Sequence, residues 1–176
     1  MLLLYTGCVL TSRTGTLVTL DPGKNACGVS LWSGVELLVA GAVRAPALAP
    51  KFGPQRWAAL GVAVDLWLGA EPPGVCVIET MKVYVKGKAD PDDLLELAGV
   101  AGAVAGLLGM RGWAIAGVKA SEWNGQVPSD IRRARTRAWV EARGWTPRVD
   151  LDTTKRFQED VWSAVGIGKW CVTGQR

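Results

Sequence analysis

Three runs of strand-forming residues follow one another near the start of the chain with only a turn between them, which restricts the fold more than any other feature. Residues 17–21 end at Pro22-Gly23, residues 27–32 end at Ser33-Gly34, and residues 36–43 follow at once. Such short connections join antiparallel neighbours, because a parallel crossover needs a long excursion. Beyond them the pattern alternates. A Pro-rich connection over 45–54 leads to a helix over 55–68, with Trp57, Leu60, Val64, Trp67 and Leu68 along one face, and Pro72-Pro73-Gly74 stops it. Residues 75–78 are continuously apolar and close on Glu79, as in a central strand. A helix is expected from Pro91 to about Met110, a strand over 113–118 and an irregular stretch over 119–129. Ser129 or Asp130 can cap a helix that runs to Arg143 and is closed by Gly144, and Thr153 or Thr154 can cap a last helix through Gly168. The order β-β-β-α-β-α-β-α-α predicts an α/β fold, a mixed five-stranded sheet with helices on both faces, in one domain spanning residues 1–176.

Of the 176 residues none is His, so triads and dyads built on imidazole and zinc sites built on it are excluded. The four Cys, at 8, 27, 76 and 171, have no metal-binding spacing and read as small buried hydrophobes. Residues 1–4 are apolar but lack a basic leader, so neither a signal peptide nor a membrane span is expected. The net charge is +4, and its placement is uneven: residues 89–110 carry four acids and no base, whereas residues 111–176 carry twelve bases and seven acids. Asp90, Asp92, Asp93 and Glu96 gather where a helix N-terminus favours negative charge. The helix behind them is apolar nearly all round, so burial is expected. It presents more apolar surface than one sheet contact can cover, and Gly99, Gly102 and Gly106 permit close approach, which together suggest a homodimer through residues 91–110.

Three carboxylates stand out. Asp21 ends a strand, Glu79 ends an apolar strand, and Asp160, beside Glu159, falls in the first turns of the last helix. Acids at the ends of neighbouring central strands can face one crevice. Oxygen donors without His or thiolate suit Mg²⁺ or Mn²⁺, and two such ions can activate a water and stabilise the leaving oxygen of a phosphodiester. Asp21, Glu79 and Asp160 are therefore the candidate catalytic and metal-holding residues, with Glu159 a further candidate ligand. Lys82, Lys86 and Lys88 follow Glu79 closely, with Tyr84 or Val85 among them as a side chain able to stack or wedge at an opened base step. Arg132, Arg133, Arg135 and Arg137 make a basic stretch that suits DNA phosphates, with 132 and 135 on one side of the helix and 133 and 137 on another. Of the nine Trp, Trp67 and Trp162 are expected in the core, and Trp32 and Trp123, near turns, are candidates for exposure. Trp123 also reads as an anchor for the segment that feeds the basic helix.

Leu20-Asp21-Pro22-Gly23 with Gly28, then Val77-Ile78-Glu79, then Ala164-Val165-Gly166-Ile167-Gly168 resemble, in order and separation, the motifs of the RuvC-type Holliday junction resolvases. The resemblance spans nearly the whole chain. It implies an RNase H-like fold and a homodimeric endonuclease that cuts four-way DNA junctions using divalent metal, with Asp21 and Glu79 as shared ligands. The family has an Asp directly before the Ala that is here Ala164, where this chain has Ser163; one turn earlier, Asp160 fits the family's His or Asp. The family's Lys before the third core helix has no counterpart at Pro128-Ser129-Asp130. Two alternatives stand beside the resolvase: an RNase H-like nuclease for other branched DNA or an RNA–DNA hybrid, and a catalytically weak junction-binding protein. The expected location is cytoplasmic, in a bacterium, a phage-infected host or another compartment that holds DNA.

Overall fold

The computed structural model describes residues 15–80, 90–152 and 154–175. Strands β1 (Thr16–Pro22), β2 (Ala26–Ser33) and β3 (Glu36–Arg44) form the expected antiparallel series. Helix α1 (Pro54–Leu68) then crosses to β4 (Val75–Thr80), and α2 (Pro91–Met110) crosses to β5 (Ala114–Lys119). Both crossovers return parallel strands, so the sheet is mixed, in the order β3-β2-β1-β4-β5. A short helix α3 (Ala120–Trp123) lies within the stretch expected to be irregular. Helices α4 (Ser129–Glu141) and α5 (Lys155–Thr173) complete the fold, α5 running five residues past the expected end at Gly168.

Strand alternation sorts the core into two layers. Val18 and Leu20 of β1, with Cys76 and Ile78 of β4, point to the face covered by Leu60, Val64 and Leu68 of α1 and Val100, Val104 and Leu108 of α2. Leu17 of β1 and Val77 of β4 point to the opposite face, covered by Val161, Val165 and Ile167 of α5 and Val140 of α4. By the same alternation Asp21 and Glu79 fall on the α5 face.

Asp90 caps α2 by accepting a hydrogen bond from the Asp92 N–H at 3.0 Å. The residue before α4 is Pro128, so neither Ser129 nor Asp130 caps that helix, and both lie inside its first turn. Thr154 precedes α5 without a side-chain cap. Burial of α2 stops well short of what its composition predicts: only Val100, Val104 and Leu108 are fully buried, because α1 and the sheet cover one side of the helix alone. By length and apolarity α2 is also a helix that could cross a bilayer, which the sequence reading did not expect. Trp32 and Trp123 are both buried, correcting the expectation of exposure; Trp32 is roofed by Trp139 and Trp145, with ring centroids about 6 Å away.

A buried polar cluster fixes α5 on the sheet. The Thr19 hydroxyl donates to the Ala164 carbonyl at 2.6 Å and shares a 2.6 Å hydrogen bond with Ser30, while Trp32 Nε1 donates to the Ser30 hydroxyl at 2.7 Å. Thr19→Val keeps the shape but leaves the carbonyl and Ser30 short of a partner, which costs about 1–3 kcal/mol. Urea unfolding should show a lower midpoint with an unchanged slope.

Candidate metal and nucleic-acid site

The paired register of β1 and β4 ends at Leu20 beside Ile78, so Asp21 and Glu79 are next in line on the same face. Across the other edge of β1, Asp21 pairs with Gly28 of β2. The backbone of Asp160 lies directly on Gly28: a Cβ there would come within 2.0 Å of the Asp160 carbonyl oxygen. Gly23, in the β1–β2 turn, lies under the Asp160 carboxylate in the same way, a Cβ there standing 3.2 Å from Oδ2. Two glycines thus let the first turns of α5 settle over the end of β1, bringing Asp160 into the electrostatic field of Asp21.

All three carboxyls are raised first by burial, and Asp21 also feels the charges of the other two. Burial holds Asp21 well above the usual carboxylate range, and the charges of Glu79 and Asp160 push it further; a hydrogen bond from Ser163 and the charge of Arg132 act against this. Burial also raises Glu79, opposed by the indole of Trp123, whose Nε1 donates to Oε2 at 3.0 Å, and by Arg132. Asp160 is pushed up to about 6, first by burial and then by Glu159, with Arg156 acting in the opposite direction. Cys27, under the same turn, is a thiol pushed up to about 12, mainly by burial.

Among the described residues no three His, Cys, Asp or Glu side chains form a group arranged to hold a metal ion. What is present is an acid, Asp21, under the field of two others, with the Ser163 hydroxyl beside it. The donor chemistry is all oxygen, which fits a hard divalent cation. A cation at Asp21 would offset the burial, and then the repulsion, that hold its carboxyl above the usual range.

The basic side chains divide by helix face. Arg132 stacks on the Trp123 ring, 4.4 Å from its centroid, and its charge acts on both Glu79 and Asp21. Arg135 and Lys169 line a narrow cleft on that side, next to Asn124. Arg133 and Arg137 turn instead to α5, Arg133 pairing with Glu159 at 3.1 Å and Arg137 stacking on Trp162. Glu159 therefore gives its carboxylate to Arg133, on a different side of α5 from Asp160. Lys82, Tyr84, Val85, Lys86 and Lys88 lie outside the described residues.

Sequence reasoning did not assign two groups to this site. Arg156 stands four residues before Asp160 on α5, and that i, i+4 spacing was a usable signal. The bond from Trp123 to Glu79 had none, because the stretch around Trp123 has no periodicity from which to read a direction.

No protein-family model matches the chain, and no curated protein matches it by sequence. Solved structures do. RuvC from Thermus thermophilus superposes with a TM-score of 0.60 at 13% identity, covering 91% of this chain and 97% of that one. RuvC from the same organism in complex with Holliday junction substrate gives 0.58 at 14% identity, covering 91% and 96%. The yeast mitochondrial Holliday junction resolvase Ydc2 gives 0.54 at 11% identity, covering 93% and 84%. At these identities the likeness is one of fold: the chain has the RNase H-like architecture that these resolvases also have.

Proposed function

We propose that this chain is a divalent-metal-dependent, structure-specific endonuclease that hydrolyses phosphodiesters in four-way DNA junctions. The observation that carries this reading is Asp21, held near the end of a central strand under the fields of Glu79 and Asp160. These three would hold Mg²⁺ or Mn²⁺, with two ions per site in the full form of the proposal. When bound, the metal would supply Lewis-acid stabilisation of the charge that develops on the non-bridging and leaving oxygens and a nucleophile available at neutral pH. The chain's own groups do the rest. Trp123 fixes the direction of Glu79, and Ser163 orients Asp21. Arg132, already balancing two carboxylates from its perch on Trp123, offers its remaining N–H groups to a non-bridging phosphate oxygen. Arg135 and Lys169 extend that positive charge along the cleft.

A second reading rests on Ser163. A hydroxyl at this position donates to Asp21 but brings no charge, so a junction-binding protein with little cleavage is the alternative. One experiment separates the readings: duplex, RNA–DNA hybrid, flap and four-way substrates, each incubated with Mg²⁺, Mn²⁺ or EDTA. Metal-dependent incision of the four-way substrate is expected. Tight metal-independent binding without incision would select the alternative, and preferred cutting of the hybrid or flap would assign the same acids to another substrate.

The proposed partner on the outer face of α2 is a second copy of the chain. Gly102 and Gly106 have open space where a Cβ would be, and the exposed apolar side chains of the same helix include Leu95, 62% exposed, and Met110, 82% exposed. A two-fold dimer would present one acidic site to each of two opposed strands of a junction. Sedimentation equilibrium should give a dimer at micromolar concentration, and Gly102→Leu should shift it towards monomer. A wild-type monomer, or a fully dimeric variant, would remove the interface from α2. With α2 covered in this way, the proposal is of a single nuclease domain that works in the cytoplasm and not in a membrane.

A further inference from the structure

Between the β1–β2 turn, the β3–α1 connection and Arg156 of the first turn of α5 lies a groove of about 520 Å³. Among the described residues its cations are Lys24, Lys51, Arg56 and Arg156, and no acid lines it. The connection that forms one wall has no regular structure, yet its shape is fixed. Arg56 donates to the Lys24 carbonyl at 3.0 Å, to the Pro50 carbonyl at 3.1 Å and to the Asn25 side chain at 3.0 Å, tying the connection to the turn. Glu96 of α2 accepts from the Gly53 N–H at 3.0 Å and from Trp57 Nε1 at 2.7 Å, tying the same connection to the helix layer. Lys24 is partly neutralised by an ion pair with Asp93 at the rim. Lys51 and Arg156 are exposed, and Phe52, also lining the groove, leaves 66% of its surface in water.

Phe52, held on a pinned loop among cations, offers a ring face on which another ring can stack. The position says which ring. A Cβ at Gly23 would stand 3.2 Å from the Asp160 carboxylate, and Lys24 is the next residue; Arg156 lies one helical turn before Asp160 and acts on its charge. The groove therefore begins where the acidic site ends. A duplex presents phosphates but keeps its base faces stacked, which leaves Phe52 without a use. An unpaired strand presents phosphates and free base faces together.

We infer that this groove binds an unpaired DNA segment continuous with the strand held at the acidic site, its phosphates on Lys51, Arg156 and Lys24 and a base stacked on Phe52. The continuity rests on the endonuclease reading, but binding can be measured without catalysis. Fluorescence anisotropy in EDTA, with a dye-labelled oligothymidylate of about twelve nucleotides and a duplex of equal length, gives the test. Phe52→Ala should weaken the single strand roughly tenfold and leave the duplex unchanged. Lys51→Ala should reduce the slope of log affinity against log salt by about 0.7 for the single strand. Both side chains are exposed, so both variants should keep the wild-type circular dichroism spectrum. Unchanged single-strand affinity in Phe52→Ala, or an equal loss for the duplex, would overturn the inference. The endonuclease reading fails separately, if the wild-type chain cuts none of the four substrates with either metal.

Discussion

Asp21→Asn should reduce metal-dependent cleavage by at least roughly two to three orders of magnitude, the scale set by losing one preorganised charge at a reacting centre, while junction binding persists. The change removes the charge on which the fields of Glu79 and Asp160 act, and keeps the shape and a carbonyl to accept from Ser163. Stability should not fall. A buried carboxyl whose pKa is raised by burial and by like charges opposes folding when ionised, so its amide should match or exceed the wild type in thermal unfolding at neutral pH. Metal adds a second readout. A divalent ion that binds the native state raises the melting temperature of the wild type by mass action, and Asp21→Asn should lose that rise. Glu79→Gln and Asp160→Asn should behave alike in cleavage. Glu159→Gln should not, because that carboxylate pairs with Arg133. Wild-type cleavage by Asp21→Asn would remove the proposed site altogether, and loss of activity in Glu159→Gln but not Asp160→Asn would place the wrong side of α5 over the strands.

The strands were legible because two different sequence signals agreed. Short turns forced the first three to be antiparallel, and helical periodicity between the later ones forced parallel returns, which is the observed sheet. The acids were legible as strand-end and helix-start positions, but their mutual placement was not. It depends on β1 and β4 pairing in one particular register and on α5 descending onto glycine, and both are contacts between residues far apart in sequence. Trp32 and Trp123 were misread for a related reason. Proximity to a turn suggests exposure, yet Trp32 is roofed by Trp139 and Trp145 and donates to the buried Ser30 of its own strand, and Trp123 donates to Glu79 of β4. The basic stretch shows where periodicity helps and where it stops. It separated Arg132 and Arg135 from Arg133 and Arg137, but not which pair would be taken up inside the chain, because that is decided by Glu159 and Trp162 on α5. The burial expected of α2 failed because composition counts apolar residues and not the surfaces available to cover them.

Gly28→Ala should be among the most destabilising single substitutions in the chain and should also abolish cleavage. A methyl group there would stand 2.0 Å from the Asp160 carbonyl oxygen, 2.2 Å from its carbon and 2.7 Å from the Val161 nitrogen. All three are backbone atoms of a helix, so no side chain can turn aside to make room. The neighbouring contacts resist a retreat of α5. Thr19 and Ser30 are bonded to the Ala164 carbonyl one turn further on. Gly168 lies so close to the Trp32 indole that a Cβ would come within 2.3 Å of the ring. Moving the N-terminal end of α5 away from β2 must therefore bend the helix or break this seam. Overpacking of a core by a methyl group costs about 1–3 kcal/mol, and with backbone on the far side the loss should lie at or above the top of that range. Even a molecule that stays folded would hold Asp160 farther from Asp21, so activity should fall further than the folded fraction does. Urea titration alongside single-turnover cleavage at a denaturant-free reference reads both quantities. A variant of wild-type stability would mean that α5 does not rest on β2 at this point, and a stable fold with wild-type cleavage would uncouple the seating of α5 from the acidic site.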